Sequence, residues 1–129
     1  MATASHPDHT DAAREQQARD RLLDAGARQL PRPPWSSPGQ PPQSVDLIRH
    51  LLWRAGGGGP VPAEDVVSAL TLLPSARSEI DQMEAALLFV ARAEGLPWGR
   101  IAEGLGLSSR QAAQQRFERV ACRLDGTRS

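Results

Sequence analysis

Residues 97–124 read PWGRIAEGLGLSSRQAAQQRFERVACRL, two helix-forming runs around a glycine-flanked corner. The spacing of Ile101, Ala102 and Leu105 predicts a short helix from about Trp98 to Gly104 with one apolar side. Ala102 is small where two helices must cross closely. Gly104 and Gly106 bracket Leu105, so the chain can turn there with positive φ at little steric cost, and Leu107 is placed to plug the corner.

Ser108 is the expected opening of the second helix. Ser108-Ser109-Arg110-Gln111 fits a capping box, in which a serine oxygen and a glutamine side chain satisfy free amides of the first turn. Ala113, Phe117, Val120 and Leu124 then recur at helical steps and predict a core face. Gln111, Gln115 and Glu118 fall on the opposite face, flanked by Gln114 and Arg119, with Arg110 at the side of the first turn. Arginine can donate two hydrogen bonds to guanine, and glutamine can pair with adenine in the same way. Such a face suits the second helix of a helix-turn-helix, which enters the major groove of duplex DNA.

The segment Gly95–Val120 resembles the helix-turn-helix of small actinobacterial DNA-binding regulators, which carry W-x-x-I-A-x-x-L-G-L-x-S-R-Q-A-A-x-x-R. Trp98, Ile101, Ala102, Leu105, Gly106, Leu107, Ser109, Arg110, Gln111, Ala112, Ala113 and Arg116 carry the likeness. It is similar, more distantly, to region 4 of sigma factors. The resemblance implies duplex DNA binding, in transcription regulation or as a nucleoid-associated protein. The expected DNA-binding set is Arg100, Ser108, Ser109, Arg110, Gln111, Gln114, Gln115, Arg116 and Arg119, with the arginines at 100, 116, 119 and 123 meeting phosphates. A sigma-like module of this kind can instead bind RNA polymerase or an anti-sigma-type partner, and that alternative stays open.

Composition sets the surrounding limits. The 129 residues suffice for one small helical domain with tails, and two independent cores are not expected. All fifteen basic residues are arginine, as in a high-GC genome, and the net charge is zero. Residues 97–129 nevertheless hold six arginines against three acids, a local net of +3. Cys122 is the only cysteine, which excludes an internal disulfide and fits a reducing cytoplasm. No apolar run approaches the roughly 18 residues that span a bilayer, and no signal peptide is read at the N-terminus. A nucleotide loop, a metal-ligand cluster and a nucleophile motif are all missing, so no catalytic residue, cofactor or metal is expected. His6 and His9 alone make no metal site.

Along the chain, residues 1–43 read as a largely disordered or marginally helical tail and linker. Residues 10–30 are rich in helix formers but thin in apolar residues, a helix that folds only on a partner surface. Six prolines within 31–43 exclude helix, and Trp35 sits among them. Residues 44–124 are the expected helical domain. Within it lie an amphipathic helix at 44–55 capped by Ser44, a glycine hinge at 56–59, a helix from about Ala63 to Leu73 and a break at Pro74. A long helix capped by Ser75 or Ser78 runs to about Glu94, with Met83 and Phe89 in its core. Residues 125–129 should fray. The fold class is all-α, with a C-terminal helix-turn-helix and a flexible Pro-rich N-terminal region. A homodimer through residues 44–73 and a location in the cytoplasmic nucleoid complete the expectation.

Overall fold

The computed structural model of the chain describes the backbone of residues 7–128 and the side chains of residues 9–123. Over that span the protein is all-helical: α1 (Pro7–Asp24), a 3-10 turn (Ala27–Gln29), α2 (Ser44–Gly56), α3 (Ala63–Thr71), α4 (Leu73–Ala93), α5 (Trp98–Leu105) and α6 (Arg110–Arg128). No helix among the described residues is long and apolar enough to cross a membrane. The expectations for residues 1–6, including His6, and for the side chain of Leu124 lie outside the described residues. The chain forms two compact units divided between Arg77 and Ser78, a boundary that falls within α4.

The boundary lies inside the stretch expected as one helical domain, 44–124. The first unit takes half its core from the segment read as a tail. Ala18, Leu22 and Leu23 of α1, with Ala27, pack on Leu47 and Leu51 of α2 and on Ala69 and Leu72 at the end of α3. The apolar face of α1 is thin, but alanine and leucine at close helical spacing suffice when the partner helices are short. Burying Leu22 and Leu23 contributes about 1.5–3 kcal/mol each, which outweighs the weak intrinsic helicity of a polar sequence. Leu30, Ile48 and Val61 close the rim.

Polar contacts then tie the proline segment down. The Arg19 guanidinium donates to the Ser44 hydroxyl at 3.1 Å and to the Pro42 carbonyl. Ser44 is fully buried and donates to the Ser75 hydroxyl at 2.8 Å. Ser44 is therefore a bridge between elements and not the cap of α2; Gln43 holds the cap position without a side-chain bond. The break expected at Pro74 falls at Leu72, between α3 and α4. Pro74 itself sits in the first turn of α4, where its missing N–H is no loss, and α4 starts ahead of both Ser75 and Ser78, the expected caps. In the C-terminal unit the α6 backbone runs to Arg128.

Asp65 organises the charge of the first unit. It opens α3 almost fully buried, and its two oxygens accept from Arg21 Nε at 2.6 Å and Arg54 Nη2 at 2.9 Å. Burial by itself pushes the carboxyl pKa up, but the hydrogen bonds and charges of Arg54 and Arg21 outweigh it and hold the pKa below its ordinary value. Asp65 thus stabilises the fold above the unfolded carboxyl pKa of about 4, and the contribution is lost as pH falls through its lowered folded value. Asp65→Asn should destabilise the protein by about 2 kcal/mol at neutral pH, because two guanidinium groups lose their acceptor. Its stability should also fall less steeply with acid than that of the wild type, as read by urea denaturation across pH.

Candidate functional site

The second unit is built on the end of α4 and the pair α5–α6. Leu88, Ile101, Ala102 and Ala113 form its buried centre, flanked by Ala91, Trp98, Leu105, Leu107 and Phe117. Ala102 and Ala113 are both buried, so small side chains lie on both helices at the close approach. Trp98 lies 5.8 Å from Phe117 in a tilted ring contact, and the Arg92 guanidinium covers Trp98 at 4.6 Å from the ring centroid.

Two glycines set the corners. At the end of α4, Gly95 adopts φ 84°, and the Leu96 amide reaches back to the Ala91 carbonyl at 2.9 Å. At the end of α5, Gly106 adopts φ 71° and donates to the Glu103 carbonyl at 3.1 Å. The Leu107 amide there bonds the Ala102 carbonyl at 2.8 Å, which completes a Schellman stop. Gly104 lies inside α5 with ordinary helical backbone, so positive φ is required at one glycine of the pair only.

This stop moves the start of α6 by one residue. Leu107 is held back on α5, the chain bends at Ser108, and Ser109 becomes the cap: its hydroxyl accepts from the Ala112 amide at 3.1 Å. The residue three positions after the cap is then Ala112, so the expected capping box with Gln111 does not form.

The inner side of α6 is fixed by packing and by charge. Ala113 and Val120 are fully buried and Phe117 is half-buried. Arg116 makes a bidentate pair with Glu84 of α4 at 2.7 and 3.0 Å, and Arg123 meets Asp81 at 3.3 Å. The hydrogen bonds and charge of Glu84 raise the Arg116 pKa further above its ordinary value. Arg116 and Arg123 are thereby taken from the expected phosphate-facing set. The other side stays bare: Gln111, Gln114, Gln115 and Glu118 are exposed, with Arg110 and Arg119 at its two edges and Cys122 in the next turn. Ser108 is exposed just before the cap, and Arg100 is exposed on α5 beside Glu103 at 3.8 Å.

The site residues thus divide. Ser109, Arg110, Gln111, Gln114, Gln115 and Arg119 share one helix end and its outward arc, Arg100 and Ser108 flank it, and Arg116 turns inward. The inward pairs escaped the sequence reading. Their signal was there: Asp81 and Glu84 lie three apart on α4, while Arg116 and Arg123 lie seven apart on α6. No protein-family model, curated protein or solved structure matches the chain.

Glu84→Gln should lower the stability of the second unit by about 1 kcal/mol, since the pair is partly shielded from solvent. A Glu84→Gln/Arg116→Met double variant should be less destabilised than the two single changes added together, as measured by a denaturant double-mutant cycle. The glycines should separate by sign. Gly106→Ala should cost about 1 kcal/mol through its positive φ alone, since no atom crowds a methyl there. Gly104→Ala, inside α5, should gain about 0.5 kcal/mol in the same thermal melts.

Proposed function

We propose that the protein binds duplex DNA by inserting α6 into the major groove, acting in the cytoplasmic nucleoid as a transcriptional regulator or nucleoid-associated protein. The observation that carries this reading is the asymmetry of α6. Its inner side is committed to α4 and α5, while a continuous glutamine- and arginine-edged arc stays uncovered from Ser109 to Arg119. A helix that only needed to be soluble has no use for four adaptable amide and carboxylate readers on one arc. Gln111, Gln114 and Gln115 can each pair with adenine, Arg110 with guanine, and Glu118 can accept from the cytosine amino group. The short turn from the Gly106 stop to the Ser109 cap supports this reading, since it joins α5 to α6 and leaves the N-terminal end of the second helix exposed.

The same geometry limits the affinity. With Arg116 and Arg123 paired internally, Arg100, Arg110 and Arg119 remain to meet phosphates. One copy should then show a slope of log affinity against log salt of about −3 at most. Net charge zero across the chain favours one alternative, a sigma-like module that binds RNA polymerase or an anti-sigma-type protein.

In fluorescence anisotropy with random-sequence duplexes, the wild type should bind with that salt dependence. Arg110→Ala/Gln111→Ala should weaken binding by about tenfold or more. Equal binding by the two proteins refutes the assigned surface. No salt-dependent affinity, with polymerase retained in a DNA-free pull-down, decides for the alternative.

A further inference from the structure

One helix of the second unit carries two apolar stripes, and its own fold covers only one of them. Leu88 and Ala91 of α4 face α5 and α6, in line with Asp81 and Glu84, which hold the arginines of α6. Ile80, Met83, Leu87 and Val90 recur at steps of three, four and three on the adjoining side, and they are 51, 49, 70 and 55 % exposed. Ala86 and Phe89, the latter 71 % exposed, widen that side further around the helix. This departs from the expectation that Met83 and Phe89 are core. Apolar residues therefore face most of the way around α4, and a helix of that kind is a buried helix.

The pattern on the page selects what buries it. Apolar residues alternating at three and four steps are the a and d positions of a helix that packs knobs-into-holes against another of its kind. The stripe is also self-complementary in one sense of pairing. A two-fold axis at the level of Ala85 sets Ile80 opposite Val90 and Met83 opposite Leu87. It also sets Arg77 of one copy opposite Ala93 of the other, one residue short of Glu94, with both charged side chains exposed. Parallel pairing would stack each of these charges on its own like. The four seam side chains expose on the order of 400 Å² per copy, at roughly 100 Å² each, so two copies bring together about 800 Å² of apolar side chain before the flanking polar groups are counted.

We infer that α4 is a homodimer interface, formed with α4 of a second copy in antiparallel order about Ala85. The dimer surface expected within 44–73 has its exposed apolar residues split between two short helices, Leu52 and Trp53 on α2 and Val66, Val67 and Leu70 on α3. There Leu47, Leu51, Ala69 and Leu72 are already consumed by the first unit's own core. The apolar residues left over on the nine-residue α3, namely Val66, Val67 and Leu70, make too short a seam. The inference does not rest on the DNA reading and is tested without nucleic acid.

The test is sedimentation equilibrium of the full chain over a concentration series. The wild type should be a dimer. Leu87→Glu, which puts an unpaired charge in the seam, should weaken dimerisation on the order of 100-fold. Val90→Glu should act the same way, and Leu70→Glu on α3 should leave dimerisation unchanged. Circular dichroism should show full helicity in all three, because these side chains are exposed. A wild type that stays monomeric at every concentration overturns the proposal. So does a Leu87→Glu/Val90→Glu protein that dimerises as tightly as wild type, or loss of the dimer on Leu70→Glu alone. Orientation is read by cysteine crosslinking in a Cys122→Ser background. Mixed Met83→Cys and Leu87→Cys chains should crosslink to each other. A crosslink between Leu87→Cys chains alone overturns the antiparallel order.

Discussion

The bidentate ion pair between Arg116 and Glu84 decides which side of α6 is left for a partner. Buried alanine and valine along α6 would allow it some rotation about its own axis, because small side chains make a shallow knob. A planar guanidinium gripped at 2.7 and 3.0 Å by one carboxylate does not. Arg123 repeats the contact two turns further on, against Asp81. Two contacts spaced along one face set the rotation of α6, and the outward arc follows from that setting. Pairs that are only partly shielded add modest stability by themselves. Here their effect is geometric: they choose which glutamines face outward.

The same pairing changes the electrostatics that composition suggests. A local net of +3 over 97–129 reads as a basic patch when charges are merely counted. The cross-helix pairs bring acids of α4 into the tally and neutralise two of the six arginines. What remains on the outside is a mostly polar, mildly positive face. On the proposed reading such a face gets little help from counterion release and depends on contacts to base edges, so it should discriminate sequence more than it binds at large.

How much of this could be read beforehand varied with the kind of physics involved. Helix identity was legible wherever periodicity and punctuation agreed: α5 ends within a residue of its expected end, and Gly106 is the left-handed stop. Caps were less legible, because a serine pair offers two start points. The choice between Ser108 and Ser109 is made by a backbone bond, Leu107 to Ala102, that no residue type announces. Periodicity along α4 cannot say which apolar side finds a partner, and the core expected around Met83 and Phe89 holds Leu88 instead. Residues 10–30 were undervalued because counting apolar residues ignores where they fall; Ala18, Leu22 and Leu23 lie on one side and meet short helices. The burial of Asp65 between Arg21 and Arg54 came only with the fold. Ion pairs between distant helices are the least legible feature, since any acid on the surface of one could meet any arginine of another.

The two stripes of α4 also explain how one small unit could serve two partners at once. The stripe through Asp81, Glu84, Leu88 and Ala91 holds α5 and α6, and the stripe through Ile80, Met83, Leu87 and Val90 lies about 100° around the same helix. A second copy seated on the latter therefore leaves the outward arc of α6 uncovered. On the proposed reading, in which a single copy meets few phosphates, this separation matters. Coupling two weak footprints makes the second contact intramolecular, and the gain depends on effective concentration, with no new arginine required. An antiparallel two-fold also relates the two α6 helices by the symmetry that palindromic half-sites share. If both proposals hold, the exposed apolar face of α4 and the modest charge of α6 belong to one arrangement, in which association between copies supplies the affinity that charge does not.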